Sequence, residues 1–448
     1  MESGRTFGRH CRRSSPDTAH SPIQFSGCGV TTAQSGGGRT RGLIYILSAT
    51  AVAGVVGYVI QLLAPAMLAG PADYLAFSVF WSALHFVVAA IAGVQQEVTR
   101  AAHPVTRAAH STERSGNPGV LQQFAVRAGC ALIVLTVISG IFLADILFPQ
   151  SPFWMTLWLG IGLLGNLLLA ILAGVLYGLS FWPAIAALTV TDALIRGVLV
   201  SIGLVLQLEP ATLAAFIALP FSLAFGTIWL AARKQVAGRY RLDVDARRLS
   251  LNTLSTVAAS AGAGVMVAGL PLFIKLAMPL TPADMLASLI LIITVTRAPL
   301  IIPLMALQSF LILEFRTAGA ASSRRLVQYL LGVAGITVVA SLAAFAWGPW
   351  LANFISAGRY QVDPLTAALV VASAGLVGLM CLTGPALLSR NRHKLYASGW
   401  VAAALATIAL LFVPIHPEQR TLLALIIAPC LGLIVHATGM RRRVIAYD

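Results

Sequence analysis

Charged residues are scarce in this 448-residue chain: they make up only 10% of it, whereas 58% of the residues are hydrophobic. A soluble globular domain carries roughly 25% charged residues. The mean hydropathy, +0.86, is equally far from that of a soluble protein. The shortage of charge therefore excludes an ordinary soluble protein and indicates a polytopic membrane protein.

Several sequence motifs of enzymes and metal sites are missing as well. The chain has only three lysines, and none stands in a G-x-x-x-x-G-K-[ST] phosphate loop, so we expect no ATP hydrolysis. H-E-x-x-H and C-x-x-C do not occur, and the five cysteines form no disulfide framework. The spacing of His10, Cys11, His20 and Cys28 fits no usual zinc pattern. We therefore expect neither a metal nor a cofactor.

What the chain does have is a series of apolar runs long enough to cross a bilayer. They lack period-two alternation and exceed the length of barrel strands, so they are predicted to be helices. The predicted spans are 43–64, 74–93, 121–147, 153–178, 181–206, 211–232, 252–275, 284–312, 327–349, 365–389, 395–414 and 420–439. The predicted fold class is all-α and polytopic, with about twelve transmembrane helices.

The basic residues fall mostly on one side of these spans. The N-terminal segment, alternate loops and the C-terminal tail together hold 24 of the 30 Lys and Arg residues. The opposite loops hold Lys275, Arg359 and Arg420. Cytoplasmic loops carry the excess of basic residues, so both termini are predicted to be cytoplasmic and the protein to lie in the cell membrane. The net charge of +15 is therefore explained by the basic cytoplasmic segments, and no nucleic-acid partner is expected.

The outer loops are too short and too poor in charge for a catalytic site. Their acidic residues are thinly scattered: Asp73, Glu209, Asp284, Asp363 and Glu418. Catalysis needs groups that converge in a pocket. We therefore expect no catalytic residues and a protein that is not an enzyme.

A repeat relates the two halves of the chain. PADYLA at 71–76 matches PADMLA at 282–287, and LAGVLYGLS at 172–180 aligns with LTGPALLSR at 382–390 at nearly the same offset. Each half has six spans and starts inside, so the repeat is parallel. The predicted organisation is a disordered cytoplasmic extension or translated upstream sequence (1–41), an N-lobe (42–232), a basic cytoplasmic linker (233–250), a C-lobe (251–440) and a basic cytoplasmic tail (441–448).

Arg297 is the most informative residue because it lies at the middle of the span 284–312, too deep to reach the headgroups. Pro299 and Pro303 follow it, which predicts a kinked backbone with freed carbonyl groups. An ionisable residue at membrane depth marks a functional site by default. Arg297 either faces a water-filled cavity and binds a phosphate or carboxylate, or pairs with a carboxylate such as Asp192 across the lobes.

Other polar residues at or near membrane depth are candidates for coupling or gating. Asp192 and Arg196 share a helix face at i and i+4, either as a structural ion pair or with a role in substrate binding or coupling. His85 lies in the middle of a span, and its side chain either forms a hydrogen bond to a neighbour or serves as a proton relay. Glu97 and Arg100 close the second span, as a local ion pair or a cytoplasmic gate.

Three stretches resemble the multidrug/oligosaccharidyl-lipid/polysaccharide (MOP) exporter superfamily. AGPADYLAFSVFWSAL at 69–84 is similar to the Gly-Pro-x-x-Tyr-Gly-x-Phe signature of polysaccharide flippases. GVLYGLSFW at 174–182, and Arg297 and Pro299 with Gln308 downstream, complete the likeness. The resemblance covers about residues 42–440 and implies two six-helix lobes that move by alternating access.

Within that superfamily, drug exporters place acidic cation-binding residues in helices 1 or 7, where this chain has neither Asp nor Glu. Lipid II flippases tend to carry arginines in helix 1, which this chain lacks. The resemblance favours a flippase for a polyprenyl-diphosphate-linked sugar precursor of cell-surface polysaccharide.

The substrate-binding candidates are Arg297, Gln308, Gln96 and Arg196. Expected partners are the lipid-linked oligosaccharide, membrane lipids and glycosyltransferases of the pathway. A drug/cation antiporter, or a non-transport partner or glycosyltransferase of a glycan pathway, is the alternative.

Overall fold

The computed structural model describes residues 36–104, 119–317, 322–390 and 392–441. The predicted extension 1–41, with the four His and Cys residues considered for zinc, lies almost wholly outside the described residues, as does the tail after 441. The chain divides into a unit of residues 1–41 and a unit of residues 42–448, and the second unit holds every feature described below except the first turns of the first helix.

Helices dominate the described residues. They are α1 (Gly36–Met67), α2 (Pro71–Ala101), α3 (Gly119–Leu147), α4 (Pro152–Gly178), α5 (Trp182–Val205), α6 (Pro210–Val236), α7 (Ala246–Val267), α8 (Leu270–Ala277), α9 (Ala283–Ala306), α10 (Gln308–Thr317), α11 (Ser322–Ile355), α12 (Pro364–Ser389), α13 (His393–Leu411) and α14 (Pro417–Arg441). Many begin with proline at the first or second position, where its missing N–H is not needed.

The predicted spans are confirmed. Eleven described helices are long and apolar enough to cross a membrane, and α7 and α8, which meet at a bend of 76°, make a twelfth span if the pair is counted as one. The eighth predicted span corresponds to α9 followed by α10, and the chain is a multi-pass membrane protein. The two repeated segments also fall at equivalent places, since PADYLA and PADMLA open α2 and α9 while the second pair ends α4 and α12.

The two halves pack together mainly through α2, which contacts α7, α8 and α9. Helices α3 and α11 are largely exposed and carry outward-facing apolar side chains, as lipid-facing helices do. The lobes therefore meet along a seam centred on α2, and any site between them must lie beside that helix.

A short antiparallel ribbon was not predicted from the sequence. Strand β1 (Ala102–Pro104) pairs with β2 (Tyr240–Leu242), with Ala102 opposite Leu242. The ribbon joins the end of α2 to the predicted basic linker. Three-residue strands are too short to give a period-two signal, which explains why sequence reasoning missed them.

The two prolines that follow Arg297 lie within one helix. Helix α9 runs through Pro299 and Pro303 to Ala306, and the strongly bent interruption is the one between α7 and α8. Proline removes the N–H that would bond the carbonyl four residues earlier. The carbonyl oxygen of Val295, which Pro299 leaves free, instead accepts a hydrogen bond from the Tyr58 hydroxyl at 2.8 Å. The freed carbonyl group thus has the polar partner that the sequence predicts it to need.

Candidate functional site

A cavity of about 300 Å³ lies on the seam between the lobes. It is bordered by α1, α2, the break between α7 and α8, and α9, so it faces the first, second, seventh and eighth spans. The residues on α2 that line it, from Ser78 to His85, lie near the middle of that helix. The cavity is therefore at membrane depth, where the repeat predicts a transport site.

Arg297 lines this cavity and is 4% exposed. Its Nη1 donates to the Ser373 hydroxyl at 3.0 Å and its Nη2 donates to the Met266 carbonyl oxygen at 3.2 Å. It forms no ion pair with any carboxylate in the described part of the chain. The alternative pairing with Asp192 is wrong, because both oxygens of that carboxylate bond Arg196. The guanidinium charge is held in place by neutral groups and is not neutralised by them.

The bend between α7 and α8 is stabilised from the opposite lobe. The Ser82 hydroxyl of α2 donates to the Ala268 carbonyl oxygen at 2.6 Å and accepts from the Leu272 backbone N–H at 3.1 Å. Backbone groups freed by a helix break at membrane depth need such partners. One serine of the first lobe therefore satisfies both sides of the break, beside the cavity.

His85 connects the cavity wall to a buried ion pair. Its Nδ1 lies 2.9 Å from the Trp81 carbonyl oxygen, its Nε2 lies 3.3 Å from Nη1 of Arg196, and its ring stacks on Trp81. A carbonyl only accepts and a guanidinium only donates, so Nδ1 carries the hydrogen and Nε2 accepts. A second proton on Nε2 would set two donors against each other, so protonating His85 would break its contact with Arg196.

The Asp192–Arg196 pair predicted from the i,i+4 spacing is present. Nη2 of Arg196 lies 2.6 and 2.8 Å from the two carboxylate oxygens of Asp192, and the guanidinium carbon is 4.1 Å from the centre of the Phe221 ring. Arg196 is 5% exposed. It contacts the cavity through His85 and does not line it.

Glu97 and Arg100 do more than form a local ion pair. Arg100 bonds both oxygens of Glu97, at 2.7 and 2.9 Å, and also donates to Asp243 at 3.2 Å. Glu97 accepts a further bond from the Asn252 side chain of α7 at 2.9 Å. The pair therefore ties the two lobes together at the end of α2 that the basic loops predict to be cytoplasmic.

Close backbone contact reinforces this junction. The Thr256 hydroxyl donates to the Gly93 carbonyl oxygen at 2.9 Å. A Cβ atom added to Gly93 would lie 2.4 Å from the backbone nitrogen of Val257. The α2–α7 approach at this point requires glycine, since a neighbouring backbone cannot move aside as a flexible side chain can.

Three of the four predicted substrate contacts do not line the cavity: Arg196, as described above, and the two glutamines. Gln96 is exposed near the end of α2, and Gln308 is the first residue of α10, outside the lining. Four other residues that line the cavity were not predicted from the sequence: Tyr58, Gln61, Trp81 and Ser82. Tyr58 and Gln61 are spaced i,i+3 on α1, so a search for polar residues on one face of a span would have found them.

Gln61 also offers an unsatisfied group. Its Oε1 is buried and has no hydrogen-bond partner within the described residues. Together with the free donors of Arg297, the described lining of the cavity provides one cation, an amide and hydroxyl groups, and it contains no carboxylate. The donors of Arg297 suit an anionic group, and the amide oxygen of Gln61, which accepts, suits a hydroxyl group of a ligand.

Known proteins with similar sequences cover nearly the whole chain, and solved structures share its fold. The chain is 31% identical to the uncharacterized protein Rv1510 of Mycobacterium tuberculosis, over 94% of this chain and 96% of that one. The uncharacterized protein Rv3630 of the same species is 30% identical, over 95% and 96%. The uncharacterized protein Mb3654 of Mycobacterium bovis is also 30% identical over the same shares. No protein-family model matches.

Among solved structures, the lipid II flippase MurJ in an inward-closed conformation superposes with a TM-score of 0.66 at 10% identity, covering 89% of this chain and 87% of that one. The eukaryotic MATE transporter AtDTX14 gives 0.58 at 15% identity, covering 90% and 96%. A MOP superfamily transporter from Pyrococcus furiosus, described as having a binding pocket of reverse polarity, gives 0.58 at 12% identity, covering 91% and 98%. At these identities the likeness establishes the fold.

Proposed function

We propose a transport function from one premise: the chain belongs to the family of the mycobacterial proteins Rv1510 and Rv3630 and has the fold of MOP superfamily transporters. The protein flips a polyprenyl-diphosphate-linked sugar precursor across the cytoplasmic membrane for assembly of cell-surface polysaccharide. Both termini lie in the cytoplasm. Glycosyltransferases of the same pathway supply the substrate on that side.

Arg297 is the observation that carries the proposal. A guanidinium buried at mid-membrane and held by a hydroxyl and a carbonyl keeps its full charge and further N–H donors for a ligand. A planar fork of donors matches the oxygens of a diphosphate. A charge at this depth is costly unless it faces a polar interior or has a function. A cavity for the diphosphate of a lipid-linked sugar accounts for both its position and its lack of a counter-ion.

The charge of the cavity also favours one of the two transport candidates. A drug/cation antiporter needs a carboxylate where the cation binds, and none lines the cavity within the described residues. The lipid II flippase is the neighbour with the higher TM-score of the two named transporter types. Both points favour an anionic lipid-linked substrate over a cationic drug.

Contacts at both ends of the cavity fit alternating access. At the predicted cytoplasmic end, Glu97 bonds Asn252 across the lobes. At the other end, the Arg359 guanidinium donates to the Leu68 carbonyl oxygen, and the rings of Tyr74 and Tyr360 lie 5.7 Å apart. Breaking one set while the other holds would expose the cavity to one side at a time. His85 and Asp192 are the candidates for coupling, and Glu97 with Arg100 for the cytoplasmic gate.

The test is translocation by the purified full chain. A fluorescent polyprenyl-diphosphate disaccharide is placed in proteoliposomes, and a membrane-impermeant reductant reports how much reaches the outer leaflet. We expect the wild-type chain to equilibrate the lipid and Arg297→Gln to do so far more slowly. The flippase proposal is wrong if vesicles with the wild-type chain move no more lipid to the outer leaflet than empty vesicles do. If the same vesicles exchange a cationic dye for protons or sodium, the protein is a drug/cation antiporter.

A further inference from the structure

Two buried tyrosines meet at the outer end of the seam, the end opposite the predicted cytoplasmic one. Tyr74 is fully buried in the first turn of α2, and Tyr360 is buried in the loop between α11 and α12. Their rings lie 5.7 Å apart across the lobes. Neither hydroxyl has a hydrogen-bond partner within the described residues. Phenylalanine would fill the same space without an unpaired polar group, so packing alone does not explain the two hydroxyls.

Two more groups of this kind belong to the wall of the central cavity. Ser78 and Gln61 line that cavity, and the Ser78 hydroxyl and Gln61 Oε1 are buried without a partner in the part of the chain that the structure describes. The hydroxyls of Tyr74 and Ser78 are neighbours on α2. One hydrogen bond between them would still leave one hydroxyl hydrogen without an acceptor. All four groups therefore have unused hydrogen-bonding capacity.

The unpartnered hydroxyls of α2 follow one face of that helix. Residues four apart lie on the same side of a helix, and Tyr74, Ser78 and Ser82 have this spacing. Both ends of the series face the second lobe, because Ser82 bonds the α7–α8 break and Tyr74 packs on Tyr360. The series covers about 12 Å along the helix axis. It therefore connects the central cavity to the outer end of the seam.

A second polar cavity, of about 420 Å³, lies just beyond this end. Leu68 lines it, and the Leu68 carbonyl oxygen accepts a hydrogen bond from Arg359 of the second lobe. Its polar lining residues are two carboxylates, two amides and a hydroxyl: Asp73, Glu209, Gln150, Gln207 and Ser151. Carboxylates repel a diphosphate, but they accept hydrogen bonds from sugar hydroxyls. The outer end of the seam thus suits a sugar better than a phosphate.

We infer that the four unpartnered groups bind the sugar of the lipid-linked substrate as it leaves the central cavity for the outer face. The inference rests on the proposed function: Arg297 binds the diphosphate, and these neutral groups bind the sugar attached to it. A sugar hydroxyl both donates and accepts, so it satisfies a tyrosine or serine hydroxyl as well as an amide oxygen.

The same contacts give the sugar a part in opening the outer end. While the two tyrosine rings pack on each other, their hydroxyls have no partner. When the lobes part there, the sugar takes the place of the ring contact and supplies the missing hydrogen bonds. A ligand shifts an equilibrium towards the arrangement that it binds better. The sugar therefore favours the outward-open arrangement of Tyr74 and Tyr360.

Transport of two labelled lipids by the full chain in proteoliposomes tests this inference. One lipid is polyprenyl diphosphate with a disaccharide and the other is polyprenyl diphosphate alone, each with the fluorophore at its polar end. We expect the wild type to move the disaccharide lipid faster. In the double variant with Tyr74→Phe and Tyr360→Phe, the ratio of the two rates should fall by about tenfold, because two neutral hydrogen bonds to the sugar are lost. The loss should be confined to the disaccharide lipid.

Two other tyrosines provide matched controls. Tyr329→Phe removes a hydroxyl from an exposed side chain of α11 and should leave both transport rates unchanged. Thermal unfolding separates sugar binding from packing. The double variant should be at least as stable as the wild type, since it loses only unpartnered hydroxyls. Tyr58→Phe should unfold at a lower temperature, because the Tyr58 hydroxyl donates to the Val295 carbonyl oxygen.

Each other result overturns the inference. If the wild type moves the disaccharide lipid no faster than the sugar-free one, or if the double variant keeps the wild-type ratio, the hydroxyls do not bind the sugar, and the proposed function still stands. An equal loss for both lipids means that the hydroxyls act on the opening of the lobes without the sugar. A lower unfolding temperature of the double variant means that they have structural partners. If the wild type moves neither lipid, the proposed function itself fails.

Discussion

Replacing Arg297 with alanine should abolish transport while leaving the protein folded. The reason lies in what the side chain touches. Its partners are the Ser373 hydroxyl and the Met266 carbonyl oxygen, so alanine strands no buried carboxylate. Stranding a buried charge costs about 3–5 kcal/mol, and that penalty does not apply here. The two lost hydrogen bonds to a charged group, at about 1.5–3 kcal/mol each, are offset because a buried cation is also removed.

The ligand has no such compensation. Two charge-assisted bonds from the guanidinium to a diphosphate are worth about 3–6 kcal/mol together. Since about 1.4 kcal/mol corresponds to a tenfold change in affinity, Arg297→Ala should weaken substrate binding by about a hundredfold or more. Lysine should rescue only part of this loss, because an ammonium keeps the charge but not the planar fork.

The assay combines the amount of protein in the membrane with the amount of lipid-linked sugar held on the cytoplasmic leaflet. We expect normal protein and trapped precursor for Arg297→Ala. Ser373→Ala is the matched control, since it removes one support of the guanidinium and keeps its charge, and it should lose less activity. Normal protein without precursor build-up, or loss of the protein itself, would refute the reasoning.

Three other predictions concern packing and topology. Ser82→Ala should lower the free energy of unfolding by about 1–3 kcal/mol, because it leaves the α7–α8 break without its partner; thermal unfolding in detergent measures this, with exposed Ser255→Ala as the control expected to have little effect. Gly93→Ala should push α2 from α7, so a cytoplasmic thiol reagent should label a cysteine in the central cavity faster; an unchanged rate would mean that this contact does not close the cavity. A thiol introduced near Pro71 should react from outside and one near Arg239 should not, and reversed labelling would overturn the orientation.

Much of the fold could be predicted because the bilayer leaves few choices. Apolar length alone identifies spans, since backbone groups in lipid must bond within a helix. Two pairs of short matching segments, 71–76 with 282–287 and 172–180 with 382–390, were enough to indicate the repeat. Arg297 was identified for the same reason: a charge at membrane depth stands out against its apolar neighbours.

The remaining features depend on contacts between distant parts of the chain. The partner of Arg297 is Ser373, which looks like any other serine in an apolar run. The role of Ser82 follows only from a break in a helix almost 190 residues later. Lys275 was assigned to a loop because sequence places the end of a span only approximately. The sequence around a small polar residue or a helix break does not indicate which distant residue it contacts.

The central claim is that this chain moves a lipid-linked sugar out of the cytoplasmic leaflet. Depleting it in its own cells, and then measuring how much of the polyprenyl-diphosphate-linked sugar an impermeant enzyme can reach from outside, tests that claim most directly. We expect the accessible fraction to fall and the inner-leaflet pool to grow, and we expect the wild-type chain but not Arg297→Ala to restore both. An accessible fraction that stays unchanged after depletion would contradict it.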